Sequence, residues 1–166
     1  VLPASDRAGI PSGPRRMSDA PYWKTVPLNR MTRAQWEGLC DGCGLCCLHK
    51  VEDADSGAIG QTDVACGYLD LGTCRCTDYA NRKRNVPDCV QLKPEKVLSL
   101  RWLPSTCAYR LVALGQDLPS WHYLVSGDPE SVHAAGVSVR GKAISENEVE
   151  DIEEHVVAWL NRGRRK

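Results

Sequence analysis

No excess charge of either sign marks this sequence: 21 Lys and Arg are matched by 21 Asp and Glu over 166 residues. Without a bulk positive field there is no electrostatic case for a nucleic-acid binder or for attachment to an anionic membrane surface. Long apolar runs are also missing, so no membrane-spanning helix is expected. The opening VLPASDRAGIPSGPRRMSDAP carries charges and prolines where a secretory signal needs an apolar stretch, and the cytosol is the expected compartment. There is no internal repeat, no P-loop, no dinucleotide fingerprint and no arguable Ser-His-Asp set, so no catalytic residues are assigned and enzymatic activity is left open.

What the chain has is nine cysteines, an odd number. Their share falls below the roughly 8 to 10% typical of disulfide-stapled miniproteins. A domain of this length can bury an ordinary core without staples, and in a reducing compartment clustered cysteines are more often metal ligands or redox groups than disulfides.

Local signals predict an α+β, helix-dominated fold with an irregular, cysteine-rich, metal-stapled half. Residues 1–21, with four prolines, read as a flexible extension, and Met17 within it is a candidate initiation site. A single cysteine-cluster domain is expected over 22–161 and a basic tail over 162–166. Thr32 and Gln35 have capping-box spacing for a short helix that delivers Cys40. Gly42 and Gly44 then favour a tight loop, and residues 52–64 read as a polar loop. The stretch CGYLDLGTCRCTDY, turning at Gly72, reads as a short hairpin, and Thr77 as the cap of a helical turn. Further on, Ser105 to Gly115 reads as a helix, and so does Asp128 to Gly136. A small strand is expected around Val137 to Arg140. Ser145 and Glu148 suggest a second capping box opening an amphipathic C-terminal helix with Val149, Ile152, Val156, Trp159 and Leu160 on one face.

The cysteines form a dense group, Cys40, Cys43, Cys46 and Cys47, and a spread group, Cys66, Cys74, Cys76, Cys89 and Cys107. Two residues between cysteines let both sulfurs reach one metal while backbone N–H groups turn toward the thiolates. Three in that register, C-x2-C-x2-C, are how bacterial ferredoxins wrap three corners of a cubane cluster; zinc sites more often use two separated pairs. Cys47 follows Cys46 directly, and adjacent side chains seldom aim at one centre, so one of the two serves a second site, a remote partner or the core. Cys74 and Cys76, one residue apart, would share a face of a ribbon. Cys107, on a helix beside Leu111 and Leu114, reads equally well as a small buried hydrophobe and is the expected leftover. His49 is expected beside the ligands rather than among them. The candidate metal ligands are therefore Cys40, Cys43, Cys46, Cys47, Cys66, Cys74, Cys76 and Cys89, holding an iron-sulfur cluster or zinc. The leading function is a metal-binding protein with an iron-sulfur or iron centre and a redox or modifying role. The alternative is a zinc-stapled structural or protein-interaction module without catalysis.

The segments CDGCGLCCLHK, VAC, TCRC, PDC and STCAYRL, with PYW, QDLPSWHYL and VSVRGKAI, resemble the YcgN family of bacterial cysteine-cluster proteins. The resemblance covers nearly the whole chain from Met17 onward. It implies membership of a wider CxxCxxCC superfamily described as zinc- or iron-chelating, to which a flagellin lysine methylase also belongs, and it assigns no reaction. The superfamily pattern maps onto Cys40, Cys43, Cys46, Cys47, Cys66, Cys76 and Cys89, with Cys74 and Cys107 as additions of this branch. The Arg-Pro usual after the Cys-x2-Tyr element is replaced here by NRKRNVP.

Overall fold

The computed structural model describes residues 20–160; most of the expected N-terminal extension, including Met17, and the basic tail 162–166 lie outside them. The α+β class stands, with short elements. The helices are α1 (Tyr22–Thr25), α2 (Arg33–Glu37), α3 (Arg82–Asn85), α4 (Ala108–Ala113), α5 (Tyr123–Ser126) and α6 (Ser131–Ala134). The strands are β1 (Leu48–Glu52), β2 (Ile59–Ala65), β3 (Leu69–Asp70), β4 (Arg75–Cys76), β5 (Ile144–Ser145) and β6 (Val156–Trp159). Among the described residues no helix is long and apolar enough to cross a membrane.

β2 is the centre of the larger sheet. β1 pairs antiparallel along one side of it, while on the other side β5 pairs parallel at Val64 and Ala65 and β6 pairs antiparallel at Gly60 to Thr62. The β1–β2 register shifts between Leu48 and Lys50, where the buried Thr62 hydroxyl donates to the His49 carbonyl at 2.7 Å. Residues 52–64, expected as a loop, are mostly hairpin. β2 carries buried Gln61 and Thr62, whose polar groups are bonded within the sheet, so the strand lacks the polar-apolar alternation that reveals one in sequence. The smaller ribbon pairs Leu69 with Cys76 and Asp70 with Arg75, as expected; Asp70 Oδ1 accepts from the Gly72 and Thr73 N–H groups to close its turn.

The amphipathic C-terminal helix is not formed. Ser145 caps only a single 3-10 turn, Glu146–Glu148, by accepting from the Asn147 N–H, and the chain then reaches β6 through a second 3-10 turn, Glu153–His155. Six acidic residues lie between Glu146 and Glu154, placing like charges at helical i, i+3 and i+4 spacings, while Val149, Ile152, Val156 and Val157 are β-branched. The open edge of β2 offers this segment a backbone partner that an isolated helix lacks. The expected strand at Val137 to Arg140 is likewise absent: the Val139 N–H donates to the Cys43 carbonyl at 2.9 Å instead of joining a ladder. Thr77 does not cap either; its hydroxyl donates to the Tyr68 carbonyl, and Asp78 takes the cap position. Local signals did better at Thr32, where both bonds of the capping box are present, and at Gly115 and Gly136, which adopt left-handed backbone past α4 and α6.

Two apolar clusters flank the cysteine loop. Leu39, Val97, Leu103, Ala108, Tyr109 and Leu118 form the first, with Cys40 and Cys107 packed against it. Leu48, Ala65, Leu69, Cys74 and Val139 form the second, with Leu45 and Cys47 at its margin. Residues 40–47 thus bridge the two clusters, so the packing of both cores bears on the loop's shape.

Candidate metal centre

The loop begins where α2 ends. His122, completely buried, donates from Nε2 to the Leu39 carbonyl at 3.0 Å and accepts the Leu124 N–H at Nδ1, while the Tyr123 hydroxyl donates to the Gly38 carbonyl. The chain entering Cys40 is therefore fixed from α5, more than 80 residues away in sequence. Beyond it, Gly42 and Gly44 both take φ of +77°, a left-handed backbone that residues with a Cβ adopt only under strain. At Gly44 a Cβ would also lie 2.8 Å from Val139 Cγ2.

This backbone path directs the Gly42 N–H to the Cys40 sulfur and the Leu45 N–H to the Cys43 sulfur. The two turns are successive copies of one arrangement, a sulfur at position i facing the N–H of i+2. Asp41 sits between them, buried, with Oδ1 accepting the Cys43 N–H at 2.9 Å. On the far side Lys50 Nζ donates to the Leu45 carbonyl at 2.9 Å and the Leu48 carbonyl at 2.6 Å and lies 4.7 Å over the Trp102 ring.

The remaining cysteines approach from separate segments. The Cys66 N–H donates to the Cys47 carbonyl at 3.0 Å, which joins the end of β2 to the loop. Cys76 lies on β4, and Cys89 is held by Lys83, whose Nζ donates to the Cys89 carbonyl at 2.9 Å. The Tyr79 hydroxyl ties this stretch to α2 through Glu37 at 2.6 Å. Cys47 is within electrostatic reach of Cys46, Cys66 and Cys89, and Cys89 of Cys76 and Cys66. Cys107, at the N-cap position of α4, is within reach of Cys46 and Asp41.

Cys74 is placed differently. It is 4% exposed, belongs to the second apolar cluster, and has φ of +57° in the turn before β4. It therefore lies outside the ribbon, and strand alternation does not pair it with Cys76. His49 is beside the cysteines rather than among them: Nε2 meets Glu146 Oε2 at 2.6 Å, while Glu146 Oε1 accepts the Gly67 N–H, so one carboxylate ties His49 to the residue after Cys66.

Thiol acidity follows from burial. Desolvation pushes Cys40 up to about 12 and Cys107 up to about 11. Cys43 rises further, first through desolvation and then through the Asp41 charge. Cys46 and Cys47 split: a hydrogen bond from Cys47 holds Cys46 below the ordinary thiol value and Cys47 far above it. Cys46 is exposed at the surface, although enough protein surrounds its sulfur for desolvation to oppose its ionisation. Desolvation lowers Lys50 to about 8, against the pull of Cys46, Cys47 and Cys43.

All nine cysteines are free thiols, and among the described residues no three His, Cys, Asp or Glu side chains stand already arranged to hold a metal ion. Chemically the donor set fits one: many sulfurs around one loop, backbone N–H groups facing two of them, and one buried oxygen, Asp41 Oδ2, with no hydrogen-bond partner. Asp41 carries no ligand signal in the sequence beyond its place inside C-D-G-C. Of the other polar residues, Tyr79 and Arg82 line an open cleft of about 400 Å³ with Arg33, Trp36 and Glu37, apart from the buried His122.

Residues 39–108 match the CxxCxxCC family, described as a candidate zinc- or iron-chelating domain. A UPF0260 protein of Sinorhizobium fredii is 59% identical over 145 residues, covering 86% of this chain and 94% of the relative. A UPF0260 protein of Ectopseudomonas mendocina is 58% identical over 139 residues, covering 82% of this chain and 93% of the relative. One from Granulibacter bethesdensis is 55% identical over 142 residues, covering 86% of each. No solved structure matches the chain.

Proposed function

The chain belongs to the UPF0260 family, and from that premise we propose that it is a metal-binding protein whose centre is organised by the Cys40–Cys47 loop, with iron or an iron-sulfur cluster as the preferred occupant. The observation that carries this reading is the loop itself: Gly42 and Gly44, both at φ of +77°, curl the chain so that Cys40, Cys43, Cys46 and Cys47 lie in one short bend between two apolar clusters, with backbone N–H groups near the Cys40 and Cys43 sulfurs. Such a turn stabilises a thiolate by hydrogen bonding and leaves its outer lone pairs for a metal. Cys40, Cys43 and Cys46 supply one side of the centre. Cys47 and Cys89, with Cys66 in electrostatic reach of both and Cys76 in reach of Cys89, supply the rest or a second centre. Cys107 is the better companion to these than Cys74, because it senses Cys46 and Asp41 whereas Cys74 is packed in the apolar cluster.

Iron is preferred because C-x2-C-x2-C in one loop suits a cluster corner by corner. When bound, such a group supplies one-electron chemistry. The chain's own part is to hold the sulfurs, and to set Lys50 beside them as a counter-charge that also clamps the Leu45 and Leu48 carbonyls. Free thiols in this number suit a reducing compartment such as the cytosol.

Zinc is the second reading, favoured by the shortness of the elements: the α-helices have 4 to 6 residues. A fold of such pieces gains from a structural metal, worth about 10 to 16 kcal/mol, as much as a whole domain's typical stability. Anaerobic purification separates the two. Brown protein whose broad visible absorption is bleached by dithionite supports the cluster; colourless protein with stoichiometric zinc supports the second reading; protein that takes up neither iron nor zinc refutes both.

A further inference from the structure

We infer that Asp41 is an oxygen ligand of the centre, its Oδ2 completing a mixed sulfur and oxygen shell with the Cys40 and Cys43 sulfurs. This rests on the metal-binding reading above and adds to it a donor that the cysteine pattern does not contain.

Three features of the structure support it. Asp41 is only 7% exposed, and its Oδ2 is the one buried side-chain oxygen or nitrogen among the described residues without a hydrogen-bond partner. A buried carboxylate oxygen without a donor or cation is unfavourable, and native folds seldom keep one without a reason. Oδ1, in contrast, accepts the Cys43 N–H at 2.9 Å, which fixes the carboxylate within the loop and leaves Oδ2 as its available atom. No Lys, Arg or His among the described residues forms an ion pair with it.

The surroundings point to a cation. Asp41 lies between Cys40 and Cys43 in the chain and within electrostatic reach of Cys40, Cys43, Cys46 and Cys107. A buried carboxylate oxygen among several sulfur donors is a set that a positive ion between them would satisfy. A divalent iron or zinc ion accepts both thiolate and carboxylate, whereas Cu(I) selects sulfur alone.

The test uses the full-length protein, loaded separately with zinc and with iron(II), and read by X-ray absorption fine structure and by competition with a chelator. In the unmodified protein the expected zinc shell contains sulfur at about 2.3 Å and one light scatterer at about 2.0 to 2.2 Å. Asp41→Asn keeps an acceptor for the Cys43 N–H and should lower metal affinity by at least about 10- to 100-fold, the range seen on removing groups that merely support ligands. Asp41→Cys should restore binding and raise the sulfur count by one. This variant is decisive, because a water can replace the carboxylate in the Asn protein but cannot add a sulfur. An all-sulfur shell in the unmodified protein, or an unchanged sulfur count in Asp41→Cys, overturns the role of Asp41 and leaves metal binding intact. Failure of the unmodified protein to take up either metal overturns the underlying reading as well.

Discussion

Loading the Cys40–Cys47 loop with a metal should expel at least two protons at neutral pH, and the dependence on pH should persist far above the range of ordinary thiols. Burial pushes Cys40 up to about 12 and raises Cys43 further, so both are protonated at pH 7. A metal binds thiolates, and each ligand that starts as a thiol gives its proton to solvent. Well below those pKa values, log K should rise by two per pH unit for Cys40 and Cys43 together. Cys46, held below the usual thiol value by its neighbour, adds less than a full proton. For Cys40 alone, a shift from 9.0 to about 12 is about 4 kcal/mol against ionisation, which the metal-sulfur bond must offset. Calorimetric titration with zinc in buffers of different ionisation enthalpy counts the protons directly. Unperturbed thiols, titrating at about 8.5, would let the slope flatten by about pH 9. The burial described here carries it to about pH 10 or beyond. Release of fewer than two protons at pH 7, or a slope that flattens below pH 9, would refute the account. The sign for stability is opposite. In the metal-free protein these thiols titrate higher folded than unfolded, so their contribution is fully present below about pH 9 and is lost as pH rises toward the folded values.

Two further substitutions probe the frame. Cys74→Ala, in the second apolar cluster, should lower thermal stability by about 1 kcal/mol through lost packing while metal stoichiometry is unchanged; a lost metal equivalent in elemental analysis would make Cys74 a ligand. Gly44→Ala should cost about 2 to 4 kcal/mol in denaturant unfolding, combining left-handed strain with the 2.8 Å approach to Val139 Cγ2. Gly42→Ala should cost less, because its Cβ meets the movable guanidinium of Arg75; equal losses would remove the distinction.

What could be read in the chain was whatever a few adjacent residues decide. The Thr32–Gln35 box, the turn at Gly72 and the left-handed glycines 42, 44, 115 and 136 are local chemistry, and they appear where expected. The segment after Ser145 has the apolar spacing of a helix, whereas its pairing with β2 is a contact across some 95 residues that no local pattern encodes. The same holds within the site. The dense cysteine group declared itself by spacing, but the separation of Cys74 from Cys76 depends on one left-handed residue in a turn, and the unpartnered oxygen of Asp41 depends on burial. Neither property is carried by residue type.

The order in which the chain is made acquires a meaning from the β2-centred sheet. The cysteine loop emerges early, but the groups that hold it come late: His122 and Tyr123 for the entry to Cys40, Val139 for the Cys43 carbonyl, Glu146 for Gly67, and β5 and β6 for the open side of β2. A nascent chain displaying only the first half therefore exposes its thiols without their scaffold. The frame around the loop thus depends on residues translated well after its own cysteines, as far along the chain as Glu146 and the strands that complete the β2 sheet.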